Sequence, residues 1–97
     1  MNTTPINSHL KSVPASTPLK FIRIRKTLEL SGLSRTSLYR KMVAGIFVPT
    51  ISLGERSCAH IESEVNAMLA AMAVGKNEDE LKALVKTLVE QRQQLAA

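Results

Sequence analysis

Arg35, Thr36, Tyr39 and Arg40 stand within six residues, at spacings that place them on one side of a helix. A guanidinium donates two parallel hydrogen bonds to a guanine edge, and a threonine methyl packs against a thymine methyl. Tyr39 and Lys41, two residues on, suit phosphate or rim contacts, which fix position without reading sequence. Ser37 on the same stretch, Arg56 downstream and Arg23 upstream complete the candidate set. The chemistry these residues imply is recognition of double-stranded DNA through the major groove.

Such side chains need a rigid element that presents them, and the flanking residues supply its signals. Leu28, Leu33 and Leu38 are spaced to pack two helices together across a tight turn at Ser31-Gly32. Gly32 suits a turn that requires positive φ. Ser34 is placed as an N-cap, its hydroxyl accepting from the free amides of the next turn. The second helix is expected over residues 35–44, with Leu38 and Met42 on its inner face and Gly45 as its left-handed stop. Two positions depart from the general helix-turn-helix pattern. Leu28 stands where a small residue is usual, and Lys41 where an apolar one is expected, with Met42 next to it.

Around this unit, residues 21–24 alternate apolar and basic, as a short edge strand does, and residues 25–30 read as the first helix. Residues 47–53 are rich in β-formers but interrupted by Pro49, which confines the strand to an edge or hairpin. A turn at Gly54-Glu55 and a return strand over 56–60 make a two-stranded wing, with Arg56 beside Gly54 placed to lie along the DNA backbone or enter the minor groove. A helix follows over 61–74, with Ile61, Val65, Met68, Leu69 and Met72 on one stripe, closed by Gly75. Asn77 and Glu80 form a cap-like start for a last helix over 78–95. There Leu81, Leu88 and Leu95 recur every seven residues beside Leu84, Val85 and Val89. This stripe fits either a homodimer contact or packing onto its own domain. The fold class is mainly α, a small winged helix-turn-helix with a short β-hairpin wing and an extra C-terminal helix. The expected organisation is a disordered polar arm over 1–19, with Pro5, Pro14 and Pro18, a DNA-binding domain over 20–75, and the amphipathic helix over 76–97.

The charge distribution agrees. The 97 residues carry a formal +5. Residues 1–60 hold nine basic against two acidic side chains, a net +7, and residues 61–97 hold four against six, a net −2. Only the first part is suited to a polyanion. So short a chain leaves little room for an enzyme with a deep cleft. With 3% aromatics and no Trp, it lacks the stacking surface of a single-strand binder. Cys58, His60, Glu62 and Glu64 alternate, but a structural zinc site wants four ligands in one constellation. The expectation is instead a small buried thiol, a half-buried imidazole and two favourable charges in a helix first turn. His9 and His60 offer no serine a base, and no glycine-rich phosphate loop exists. No catalytic residue, metal or cofactor is expected. The longest apolar run, residues 67–74, is far short of a membrane span, and no apolar signal core opens the chain, so the expected location is the cytoplasm, with the nucleoid.

Phe-Ile-Arg-Ile at 21–24, Ser-Gly-Leu-Ser-Arg-Thr-Ser-Leu-Tyr-Arg at 31–40, Gly45 with Phe47 and Pro49, Leu-Gly-Glu-Arg-Ser at 53–57 and Glu-Ser-Glu-Val at 62–65 together resemble the AlpA-type phage regulators. These group with the excisionases among the MerR-like winged helix-turn-helix proteins. The resemblance spans residues 21 to about 74. It implies a DNA-binding regulator of a prophage or integrated island, acting on an integrase promoter or helping an integrase excise the element. Carried over, the DNA contacts would be Arg35, Thr36, Tyr39, Arg40 and Arg56. The family usually has aromatics where His60 and Met68 stand, which implies a smaller or looser core here. Three functions are thus open: a transcriptional regulator, an excisionase-like factor that bends attachment-site DNA, and a protein-interaction module acting through the last helix.

Overall fold

The structure, a computed structural model, describes residues 19–95. All but the last residue of the expected polar arm lies outside the described residues, as do residues 96–97. The order along the chain is β1 (Phe21–Arg23), α1 (Ile24–Ser31), α2 (Arg35–Val43), β2 (Ile51–Gly54), β3 (Ser57–Ile61), α3 (Glu62–Ala73) and α4 (Glu78–Leu95). Four helices around a small antiparallel sheet form a winged helix-turn-helix.

β3 is the central strand, between β1 and β2. On one side Ile22 faces His60 and Arg23 faces Ala59; on the other Ile51 faces Ala59 and Ser52 faces Cys58. The wing hairpin is therefore bound to the strand that opens the domain. In β1 only Ile22 is buried, while Phe21 and Arg23 face out, the alternation expected of a half-covered edge. Ile24 is buried too, but it begins α1 rather than ending the strand.

Local signals set the helix ends. Gly32 closes α1 at φ 74°, its amide donating to the Leu28 carbonyl at 2.8 Å. The Ser34 hydroxyl accepts from the Ser37 amide at 3.1 Å and so caps α2. At the other end, the amides of Gly45 and Ile46 donate to the carbonyls of Met42 and Lys41, with Gly45 at φ 80°. That is a Schellman closure, which needs the left-handed residue. Asn77 and Glu80 satisfy each other's amides reciprocally at 2.9 and 2.8 Å at the start of α4.

Leu38, Phe47, Val48, Val65 and Met68 are wholly enclosed, with Ile22, Ile24, Ile46 and Leu81 around them. Leu28, Leu33 and Met42 pack against this core from its margin. Met42 thus provides the apolar contact that Lys41 does not. Part of the apolar stripe of α4 faces inward: Leu81 is in the core, and Leu84, Val85 and Leu88 pack on it beside α3, whereas Leu95 at its end is 51% exposed.

Two expectations need correction. The strand anticipated over 47–53 does not begin until Ile51. Ile46, Phe47 and Val48 are deeply buried but belong to no strand. Their apolar character serves the core directly, and Pro49 has no amide to give to a ladder. His60 is not half-buried but fully enclosed. Its Nδ1 is 2.9 Å from the Thr27 hydroxyl, itself buried on α1, and its ring stands edge-on to Phe47 at 5.6 Å between centroids. With His60 and Met68 both inaccessible, the core closes over these two positions.

Candidate nucleic-acid interface

α2 has nine residues, about 13 Å of helix, and a major groove is about 12 Å wide. It is held by Leu38 on its inner side and fastened at both ends by Ser34 and Gly45, so its outer side is presented on a fixed rod. Arg35, Thr36, Tyr39 and Arg40 are all exposed and line one shallow concavity with Val43 and Ala44. The structure therefore brings together the four residues that head the candidate set.

The others are placed elsewhere. Ser37 is half-buried and engaged in the cap, its hydroxyl accepting from the Ser34 hydroxyl at 3.0 Å. Lys41 is half-buried and lies off the concavity. Arg23 is exposed at the end of β1, where it precedes α1. Arg56 sits in the turn between β2 and β3, fully outside the core, with φ 58°. A side chain other than glycine in that region costs on the order of 1 kcal/mol, so the tip is held in an uncommon shape by the hairpin on either side. A register shift between Ser52 and Gly54, with Gly54 at φ 139°, accompanies it.

Few of the described cations, on this surface or on α4, are neutralised by the protein's own carboxylates. Among the described residues the ion pairs are Lys20–Glu62 at 3.6 Å, Lys26–Glu29 at 3.9 Å and Arg92–Glu64 at 2.6 Å. Arg23, Arg25, Arg35, Arg40, Lys41 and Arg56 belong to none of them. Cations without a protein carboxylate keep their full attraction for phosphate.

Val43 was not among the sequence candidates, yet it is 88% exposed and extends the concavity by one turn. The signal was present: it stands seven residues after Thr36 and four after Tyr39, on the outward stripe. Glu64 is a second omission. Beyond its place in the first turn of α3, it is buried and bonded to Arg92, 28 residues away. Glu62 goes to Lys20 instead, so the two acids serve separate partners, and Cys58 is only half-buried. Among the described residues no three His, Cys, Asp or Glu side chains converge as metal ligands, and no helix is long and apolar enough to cross a membrane.

His60 keeps a lowered pKa because burial disfavours the imidazolium. The Val48 carbonyl opposes that shift, although Nε2 makes no well-formed hydrogen bond. This histidine is a neutral core group, remote in role from the exposed basic face.

Comparison with known proteins matches the same part of the molecule. The family described as Prophage CP4-57 regulatory protein (AlpA) matches residues 20–75, from the residue before β1 to two residues past α3. The chain is also 36% identical over 67 residues to "Uncharacterized protein ORF88" of Enterobacteria phage P4, covering 69% of this chain and 76% of that protein. No solved structure matches. The matched span contains both helices of the helix-turn-helix and the wing, and the chain belongs to the AlpA family of prophage regulatory proteins, a family of regulators rather than enzymes.

Proposed function

We propose that this protein is a sequence-specific, double-stranded DNA-binding transcriptional regulator of prophage or genomic-island genes, acting on integrase expression or excision. The observation that carries the reading is the outward face of α2: Arg35, Thr36, Tyr39 and Arg40 exposed together, the two arginines without a carboxylate partner among the described residues, on a helix capped at both ends. In this reading α2 lies in the major groove, where Arg35 and Arg40 donate to base edges and Thr36 and Val43 offer methyl groups to thymine. Tyr39 and Lys41 hold phosphate, and Arg56 grips the backbone or minor groove from the wing. Arg23 adds charge at the margin, and Ser37 acts through the cap rather than through a base.

The test is footprinting over the DNA around the gene and the nearest integrase gene, with wild type and with Arg35→Ala/Arg40→Ala. Protection by the wild type that vanishes in the double variant supports the reading; protection that survives at near-normal affinity removes α2 from the interface. The excisionase-like alternative uses the same face and differs in outcome. Protection within an attachment site, with bending, supports it, whereas an unbent promoter supports the regulator. Two copies on adjacent half-sites would double the contact of so short a reading helix, and the symmetry of the footprint reads this directly.

A further inference from the structure

Arg92 is the other kind of arginine in this molecule. It stands in the last turn of α4, seventeen residues beyond the span that defines the family match. Its Nε donates to Glu64 Oε2 at 2.9 Å, and its Nη2 donates both to Glu64 Oε1 at 2.6 Å and to the Pro49 carbonyl at 2.9 Å. The pair is largely withdrawn from solvent, with the side chains 18% and 7% exposed. Paired, planar donors of this kind fix geometry as well as supply energy.

The two acceptors are placed tellingly in the chain. Pro49 precedes β2 by two residues, and Glu64 follows β3 by three. One guanidinium therefore binds both roots of the wing hairpin. The strands need this unequally. β3 is paired on both sides, whereas β2 is an edge strand whose ladder partner is β3 alone. Before β2, the chain leaves the buried Ile46–Val48 segment at an exposed proline. The Pro49 carbonyl ties the edge strand's root, just past the buried Val48, to α4. β2 itself runs four residues, roughly 13 Å, toward the Arg56 turn, so a small rotation at the root is magnified at the tip.

We infer that Arg92 is a positioning residue for the wing, holding Pro49 and Glu64 together so that Arg56 meets DNA at a fixed distance from α2. The inference rests on the DNA-binding reading above and assigns the C-terminal helix a part in it, through the hairpin root rather than through contact with DNA.

The test uses the full chain and three changes. Arg92→Lys keeps a positive charge beside Glu64 but has no planar fork to span both acceptors. Glu64→Arg/Arg92→Glu restores an ion pair of reversed sense, yet a carboxylate at 92 has no hydrogen to give the Pro49 carbonyl. Arg56→Ala removes the wing contact itself. In the free protein, amides of β2 in Arg92→Lys should exchange roughly tenfold faster while those of α2 do not change. On DNA, Arg92→Lys and the reversed pair should lose wing protection, keep α2 protection and bind roughly tenfold more weakly, as Arg56→Ala does. Added to Arg56→Ala, Arg92→Lys should cost nothing further, because the contact it positions is already gone. A folded Arg92→Lys with an intact wing footprint, or a loss that adds fully to Arg56→Ala, overturns the inference and leaves the DNA-binding reading standing. A wild type that protects no specific DNA overturns the reading and the inference with it.

Discussion

Arg40 and Arg92 show how one side chain is used in two ways in a small protein. Arg40 lies on the outer face of α2, exposed and outside every ion pair among the described residues. Arg92 is sunk against Glu64 and Pro49 with three short hydrogen bonds. A buried guanidinium must be matched by acceptors, because the cost of stripping its water otherwise exceeds any gain. An exposed one has its solvation already and is free to exchange it for a phosphate or a base. The basic face and the clamp therefore separate binding from architecture, and each can be attacked without the other.

The sharpest break is on the binding side. Arg35→Ala/Arg40→Ala should lower specific affinity on the order of 10²-fold or more, given ~1–3 kcal/mol for each well-made base contact. The logarithmic salt slope should fall by about 2 if both residues also neutralise phosphate. Unfolding by urea should show no loss of stability, since neither side chain supports the core. A double variant that unfolds easily would mean that this face is structural after all.

The opposite result is expected at the clamp. Glu64→Ala leaves Arg92 largely buried with its main acceptor gone and should cost about 3 kcal/mol of stability. The urea midpoint measures it. Major-groove protection by α2 should persist wherever the variant is folded. Equal damage to stability and to the α2 footprint would erase the distinction between the two regions.

These regions also differ in how legible they were. The binding side is local: Ser34 before Arg35, Gly32 and Gly45 at helix ends, and the period that sets Leu38 inward and Tyr39 outward all lie within fourteen residues. Such signals act through nearest neighbours, so a sequence displays them. The clamp joins residues 28 and 43 positions apart, and the Thr27–His60 contact spans 33. Nothing about Glu64 alone distinguishes a buried acid from a first-turn charge, and nothing near His60 announces Thr27. Phe47–Val48 failed as a strand for the related reason that β-forming residues are also core-filling residues. Tertiary packing decided which use they have.

Ser34 lies between the two regimes, since its cap is structural but fixes the helix that reads DNA. Ser34→Ala should cost about 1 kcal/mol in urea unfolding, and Ser34→Gly only a few tenths. Because the Ser37 amide and hydroxyl both bond to Ser34, the alanine variant should also loosen the first turn that bears Arg35 and Thr36. Specific affinity should fall modestly, with the salt slope unchanged. A change in slope would mean that Ser34 or Ser37 contacts phosphate directly.

The smallest effect is expected from pH, and it falls on the architectural side alone. His60 has its pKa lowered in the fold, chiefly by burial, whereas in the unfolded chain it titrates near 6.5. Above that value the ring is neutral in both states and contributes no pH dependence. As pH drops below about 6.5, the unfolded chain takes up a proton that the folded one refuses, so stability declines, and the decline ends only once pH has passed the lowered value in the fold. The midpoint for urea unfolding should therefore fall between about pH 7 and pH 5.5, and His60→Gln should remove that part of the slope, whatever its effect on stability at neutral pH. A slope that persists in His60→Gln would place the titrating group elsewhere. Since His60 is enclosed in the core and not on the α2 face, DNA affinity of the protein that remains folded should not follow it.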